Sequence, residues 1–404
     1  MKKLIKNICY LSMVKGVDFL IPLMLIPFVL KHIGFEQYGI FSLSLILFNF
    51  GISLIDFGHS LTAIKEIAGK DSNDEESIIN QVISFRFLFS ILVSSLWFIS
   101  SLFFDEVSSL IVAIFSIALI IESLSLSFYF HAKQEMKIVS LVQLLSRIVS
   151  TCLVFVLINN ENDLAIYSAL HVLPNIINVI VIFIMFFRIK SENYKFKFDI
   201  NLIRIKKGWD IYSYQMLSGL ILPITSSFIA SVYGIKSVAL FSVCQRVVSS
   251  IYRLFEPTMF SIYPYLSKFF KSNYDTFKSK SVLFLFLFFI ASLSFSIILN
   301  VFGTEIQIYI SGEVFTNDGN ALYTLMSFLI IPMVMNLITT RLLIIIEKEK
   351  IIAKVLAISF VLICLSLIAV YLYGFSLPYV SVSLLIGYFF TMFVTIGLYI
   401  RNLK

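Results

Sequence analysis

The stretch "FSVCQRVVSSIYRLFEP", residues 241–257, places a row of charges inside an apolar segment. Arg246 and Arg253 are seven residues apart, two helical turns, and Glu256 follows three residues later. Ser242, Gln245 and Ser249 share the same side of a helix with them. In a soluble helix the polar face would look outward. The rest of the chain argues against that here. Hydrophobic residues make up 59% of the sequence and charged residues only 14%, with a mean hydropathy of +0.95. Soluble domains carry about 25% charged residues. The segment therefore reads as a membrane-crossing helix whose polar face is turned toward protein.

A bilayer span needs roughly 20 mostly apolar residues. Along the 404 residues this template gives about twelve spans. They fall near 10–31, 38–58, 81–103, 107–130, 138–158 and 164–187, then 210–233, 238–261, 281–302, 321–346, 351–372 and 377–400. The expected fold is an all-α polytopic membrane protein. Its spans form two pseudo-symmetric six-helix bundles around a central cavity. The basic start "MKKLIKNICYLSMVKG" has no small-residue cleavage site and reads as an uncleaved first helix.

The chain has a net charge of +7, and the bias lies in the loops. Alternate loops hold Lys65, Lys70, Lys133, Lys137 and the group from Arg188 to Lys207, while the opposite side holds little beyond Lys31 and Lys236. The positive-inside rule puts those basic loops and both termini in the cytoplasm, so this charge does not point to nucleic acid. The hydrophilic stretch 191–208 reads as a cytoplasmic linker between an N-terminal half, 1–190, and a C-terminal half, 209–404. The halves echo each other: "GFEQYGIFS" at 34–42 and "GIKSVALFS" at 234–242 share Gly, Phe and Ser, and each follows a helix containing a proline, Pro22 or Pro223. Paired six-helix halves are a common transporter plan.

Cys9, Cys152, Cys244 and Cys364 have no metal-ligand or C-x-x-C spacing and read as free thiols. No metal or cofactor is expected. The chain has no phosphate-cradling G-x-x-x-x-G-K-[ST] loop, which argues against ATP hydrolysis. "SMVK", residues 12–15, matches S-x-x-K without any supporting motif.

Polar stripes recur on the spans. Lys15 and Asp18 share a face of the first. Arg86, Ser90 and Ser94 lie on the third, and Glu122, Ser125 and Tyr129 on the fourth. Ser140, Gln143 and Arg147 mark the fifth, and Tyr167, His171, Asn175 and Asn178 the sixth. A charge facing lipid costs about 2.5–3.5 kcal/mol at a helix centre, so such stripes should share an interior. A plainer reading stands beside this one. Lys15, Arg86, Arg253, Asp56 and Arg341 lie near the cytoplasmic ends, where long basic side chains snorkel. Lys15 with Asp18, and Arg253 with Glu256, also suit structural pairs. Arg147, Arg246 and Glu122 lie deeper and favour a cavity.

"PFVLKHIGFEQYGIFSL" at 27–43, "LIDFGHS" at 54–60 and "FHAKQEMKIVS" at 130–140 resemble Wzx-type O-antigen and capsule repeat-unit flippases. These form the polysaccharide transporter branch of the multidrug/oligosaccharidyl-lipid/polysaccharide exporter superfamily. The resemblance implies a non-enzymatic carrier in the bacterial inner membrane. Its cargo would be an undecaprenyl-diphosphate-linked oligosaccharide, and its partners membrane lipid, a polysaccharide polymerase and a chain-length regulator. Beside that resemblance, the chemistry of arginine, which matches phosphate bidentately, makes Arg246 and Arg253 candidates for pyrophosphate or glycan binding, with Lys15, Arg86 and Arg147. Asp18 and Glu122 are candidates for ion coupling. Two rivals remain: a drug or cation antiporter of the same superfamily, expected to have an acidic cavity, and a membrane glycan polymerase, expected to carry a sizeable external loop. The external loops here are short, at 32–37, 104–107, 159–163, 234–237 and 303–319.

Overall fold

The computed structural model describes residues 2–67, 72–101, 109–133, 135–190, 196–312 and 314–402. Among these residues the secondary structure is helical. Among the described residues ten helices are long and apolar enough to cross a bilayer, and the chain is a multi-pass membrane protein. In chain order the first elements are α1 (Lys2–Asp56), α2 (His59–Ile67), α3 (Ser72–Ser101), α4 (Ser109–Ser123), α5 (Ser127–Ala132), α6 (Met136–Leu157) and α7 (Leu164–Lys190). They are followed by α8 (Leu202–Tyr233), α9 (Ile235–Ser272), α10 (Tyr274–Val301), α11 (Gly303–Ser311), α12 (Asn317–Phe328), α13 (Ile330–Ile345), α14 (Glu349–Leu372) and α15 (Pro378–Asn402).

Two of the twelve sequence-derived spans lie in α1, which breaks at Gly34. The span expected at 107–130 is not continuous. It ends at Ser123, turns through Leu124–Leu126 and resumes as the single turn and a half of α5. The span at 321–346 is likewise divided at Leu329, close before Pro332. A proline lacks the N–H that would continue the ladder, so a break just ahead of it is expected. The sequence reading missed α2 and α11, which are too short and too mixed to match a spanning template.

Contacts divide the chain into two compact units. One comprises Met1–Ile21 with His32–Pro223, the other Pro22–Lys31 with Ile224–Lys404. In the first, Phe41, Phe48, Phe115 and Tyr167 are buried, and their rings meet at 4.5–6.2 Å between α1, α4 and α7. A second cluster ties α2, α3, α5 and α7 through Ile67, Ile79, Val82, Phe130 and Phe186. Tyr129, placed by sequence on a polar stripe, belongs to this cluster instead, its ring edge-on to Phe186.

In the second unit, α9, α10, α12, α13 and α15 pack around Val334, Ile338, Leu342 and Leu343, all fully buried. Between lipid-immersed helices the apolar faces gain little by meeting one another, so close approach and polar bonds matter more. Asn300 Nδ2 donates to Ser327 Oγ at 2.6 Å, Asn336 Nδ2 to the Tyr388 carbonyl at 3.1 Å, and the Thr339 and Thr395 hydroxyls meet at 2.9 Å.

The echo between the halves reaches the backbone. Gly34 has φ 77, ψ 168 and Gly234 has φ 80, ψ 168. Seven and eight residues on, Phe41 and Phe241 are fully buried, as are Ser42 and Ser242. Each glycine ends one span and starts the next in a conformation that only glycine adopts readily. Gly34→Ala and Gly234→Ala should therefore each cost about 1–3 kcal/mol, read as a lowered melting temperature in detergent. The costs should be alike, since no side chain crowds either position closely.

Candidate functional site

The first unit holds an open cavity of about 680 Å³. α1 contributes Asn49, Ser53 and Asp56, spaced three and four residues apart so that they share one face. Ser60 comes from α2, Arg86 from α3, Glu122 from α4, His131 from α5, Gln143 from α6, Asn178 from α7 and Ser218 from α8. A smaller cavity of about 140 Å³ shares Glu122, Gln143 and Asn178 with it and adds Ser146, Arg147 and Asn175. Parts of the stripes on the third to sixth spans thus converge. Ser90 and Ser94 do not join them: Ser90 Oγ donates to the Phe87 carbonyl at 2.7 Å, and Ser94 Oγ to the Ser116 carbonyl at 3.3 Å across α3 and α4.

Arg86 organises one wall. It is 6% exposed, and its Nη2 pairs with Asp56 and donates to Ser60 Oγ. Its Nη1 donates to the Ser125 carbonyl at 3.2 Å, a group freed by the break between α4 and α5. Its guanidinium lies 5.4 Å from the Phe128 ring centroid. Asp56 also accepts from Ser60 Oγ at 2.7 Å and from the Ser60 amide at 3.3 Å. The α1–α2 turn that presents Asp56 holds Phe57 at φ 47 and Gly58 at φ 71. A non-glycine residue in that region is uncommon. Phe57 is fixed by stacking on Tyr212 at 3.8 Å and by the edges of Phe85 and Phe89. The sequence motif "LIDFGHS" is thus the turn that delivers Asp56 to Arg86.

The Glu122 carboxylate lines both cavities and feels the field of Arg86, yet it makes no hydrogen bond among the described residues. Asn178 is 6% exposed, and its Oδ1 has no donor among the described residues. These groups are available to a polar ligand. Arg147, half-buried, lines the smaller cavity. Lys15 and Asp18 lie outside the residues whose side chains are described.

His131 and Asp56 were not selected from the sequence as site residues. Burial pushes the His131 imidazole below its ordinary range. The unfolded chain then takes up the proton first, and stability falls as pH drops through about 6.5, the ordinary histidine value. His131→Gln should remove that part of the acid-side loss, measured as melting temperature between neutral and mildly acidic pH.

In the second unit, Arg246 and Glu256 are half-buried and Arg253 is exposed on α9. The offset that matches Gly34 to Gly234 also matches Asn49, Ser53 and Asp56 to Ser249, Arg253 and Glu256. By register, the charged row of the opening stretch is the α9 counterpart of the α1 face that carries Asn49, Ser53 and Asp56. The two differ at the end: α1 stops at Asp56, whereas α9 continues through Pro257 to Ser272.

Comparison with solved structures places the fold. A multidrug resistance MATE family transporter of the MOP superfamily, in an inward-facing conformation, superposes with a TM-score of 0.67 at 13% identity, over 91% of this chain and 93% of that one. The lipid II flippase MurJ in an inward closed conformation gives 0.64 at 15% identity, over 95% and 86%. A MOP superfamily transporter from Pyrococcus furiosus gives 0.63 at 14%, over 98% and 95%. In sequence, the chain is 25% identical over 270 residues to the "Putative O-antigen transporter" of Escherichia coli (strain K12), a match covering 65% of this chain and 64% of that relative. Residues 4–270 match the model of the polysaccharide biosynthesis protein family, and to that family the chain belongs.

Proposed function

We propose that this protein carries an undecaprenyl-diphosphate-linked oligosaccharide, an O-antigen or capsule repeat unit, from the cytoplasmic to the periplasmic leaflet of the bacterial inner membrane. Its two halves alternate access to the cargo. A glycan cannot enter hydrocarbon unaided, because its hydroxyls lose their water without replacement. The observation that carries the reading is the polar, charge-bearing cavity inside a unit otherwise apolar, lined by Asn49, Ser53, Gln143 and Asn178. Such side chains replace water at sugar hydroxyls, and Glu122 and Asn178 have bonding capacity to spare.

Arg147, Arg246, Arg253, Arg86 and Lys15 are the groups proposed to meet the pyrophosphate. Arg86 reaches it only by exchanging Asp56 for phosphate, which frees the Asp56 carboxylate. Asp18 and Glu122 are the proposed coupling sites for an ion gradient. The proposed topology has both termini in the cytoplasm, and the polymerase and chain-length regulator act on the delivered unit.

Deleting the gene in its host tests this reading. Loss of long surface chains, with intact lipid-linked units facing the cytoplasm, is the expected result. Units that reach the periplasm but stay single would place the defect in polymerisation and contradict it. A second reading, a drug or cation antiporter, is favoured by the acids Asp56 and Glu122 in the cavity, and normal surface glycan with raised drug sensitivity would establish it. Complementation with Arg147→Ala, Arg246→Ala or Arg253→Ala at equal protein level should restore at least about tenfold less long-chain glycan than the parent, as the loss of one charge-assisted bidentate contact of 1.5–3 kcal/mol implies.

A further inference from the structure

The segment 196–201, "FKFDIN", has no regular secondary structure, yet it is fixed in place. Gln81 Nε2 of α3 donates to Asp199 Oδ2 at 2.8 Å, and the Asp199 amide donates to Ser84 Oγ at 3.1 Å. Asp199 is thus turned onto α3. Phe196, Phe198 and Ile200 are turned the other way, 50%, 56% and 42% exposed. We infer that these three side chains are an interfacial anchor, inserted at the headgroup boundary of a leaflet rich in anionic lipid.

Depth supports this. The α3 span runs Glu75–Ile99. Glu75 pairs with Lys133, a polar contact suited to the headgroup layer. Gln81 lies six residues further in, about 9 Å along the helix, the depth at which interfacial apolar groups settle. The lipid-facing row of α3 continues directly from there as exposed Leu88, Ile91, Leu92 and Leu96. Charge supports it too: Lys197 is exposed between Phe196 and Phe198 in the sequence, Arg188 is exposed near the end of α7, and basic residues near an anionic surface are drawn to it.

The test uses the full-length protein with Phe198→Trp, and with Trp97→Phe and Trp209→Phe to remove native emission. In vesicles of phosphatidylglycerol and phosphatidylethanolamine, bromines on the upper acyl chain should quench the introduced indole by more than half. Unquenched, water-like emission overturns the proposal and leaves the segment to a protein partner. A second measurement covers poor folding of that variant. The parent should melt higher in phosphatidylglycerol than in phosphatidylcholine vesicles, and Phe196→Ser with Phe198→Ser should abolish most of that difference. An unchanged difference overturns the proposal.

Discussion

Arg86→Ala is expected to destabilise the first unit by about 3–5 kcal/mol, the usual cost of removing one partner from a buried ion pair. The pair qualifies: its side chains are 7% and 22% exposed. Among the described residues, alanine leaves the Asp56 carboxylate with the Ser60 hydroxyl and amide alone, and it strips the Ser125 carbonyl of its Arg86 donor. Asp56→Asn in the same chain removes the stranded charge and should recover a large part of the loss. Thermal unfolding in detergent gives both values. A single variant as stable as the parent would mean that water already compensates Asp56, so that the pair contributes nothing. The double variant also separates two roles of Arg86. If it folds but carries no cargo, the guanidinium acts on the ligand as well as on the wall.

Gly387→Val is expected to have the next largest effect. A Cβ at this position would stand 2.3 Å from Ile363 Cγ1, 2.5 Å from its Cδ1 and 3.1 Å from Ser359 Oγ. Relief requires the buried Ile363 side chain to leave its place or α14 and α15 to separate, and separation breaks the bond from Ser359 Oγ to the Gly387 carbonyl at 2.8 Å. Overpacking of this kind costs about 1–3 kcal/mol or more, and here the loss of close backbone approach adds to it. Gly387→Ala with Ile363→Ala should recover most of the stability. Gly397→Ala, on the same helix with no neighbour near its Cβ, should be close to neutral. Equal melting temperatures for Gly387→Val and Gly397→Ala would show that the crossing is loose.

The spans were legible because lipid imposes one simple demand, about twenty apolar residues in a row, and residues such as 281–302 meet it without ambiguity. The repeat was legible at Gly34 and Gly234 because a positive φ restricts the residue type. The converging stripes on α3 to α7 were legible through helical spacing. What spacing cannot give is the direction each stripe faces. Tyr129 sits at cavity spacing from Glu122 and Ser125, yet the break at Leu124–Leu126 rotates it into the core. That same break exposes the Ser125 carbonyl to Arg86. Asp56 was read only as a residue near a membrane end, because its partner is thirty residues away and the turn that aims it depends on Phe57 against Tyr212. His131 gave no signal, since a lone histidine after an aromatic run looks like packing.

The most direct test of the account is reconstitution. Purified protein in proteoliposomes is loaded with a fluorescent undecaprenyl-diphosphate-linked oligosaccharide, and a membrane-impermeant reagent that modifies the glycan reports how much has reached the outer leaflet. The account requires that the outward fraction rise with active protein over empty vesicles. It also requires that Arg246→Ala with Arg253→Ala, at equal incorporation, abolish most of the increase. An outward fraction that stays at the empty-vesicle level under imposed proton and sodium gradients would contradict it.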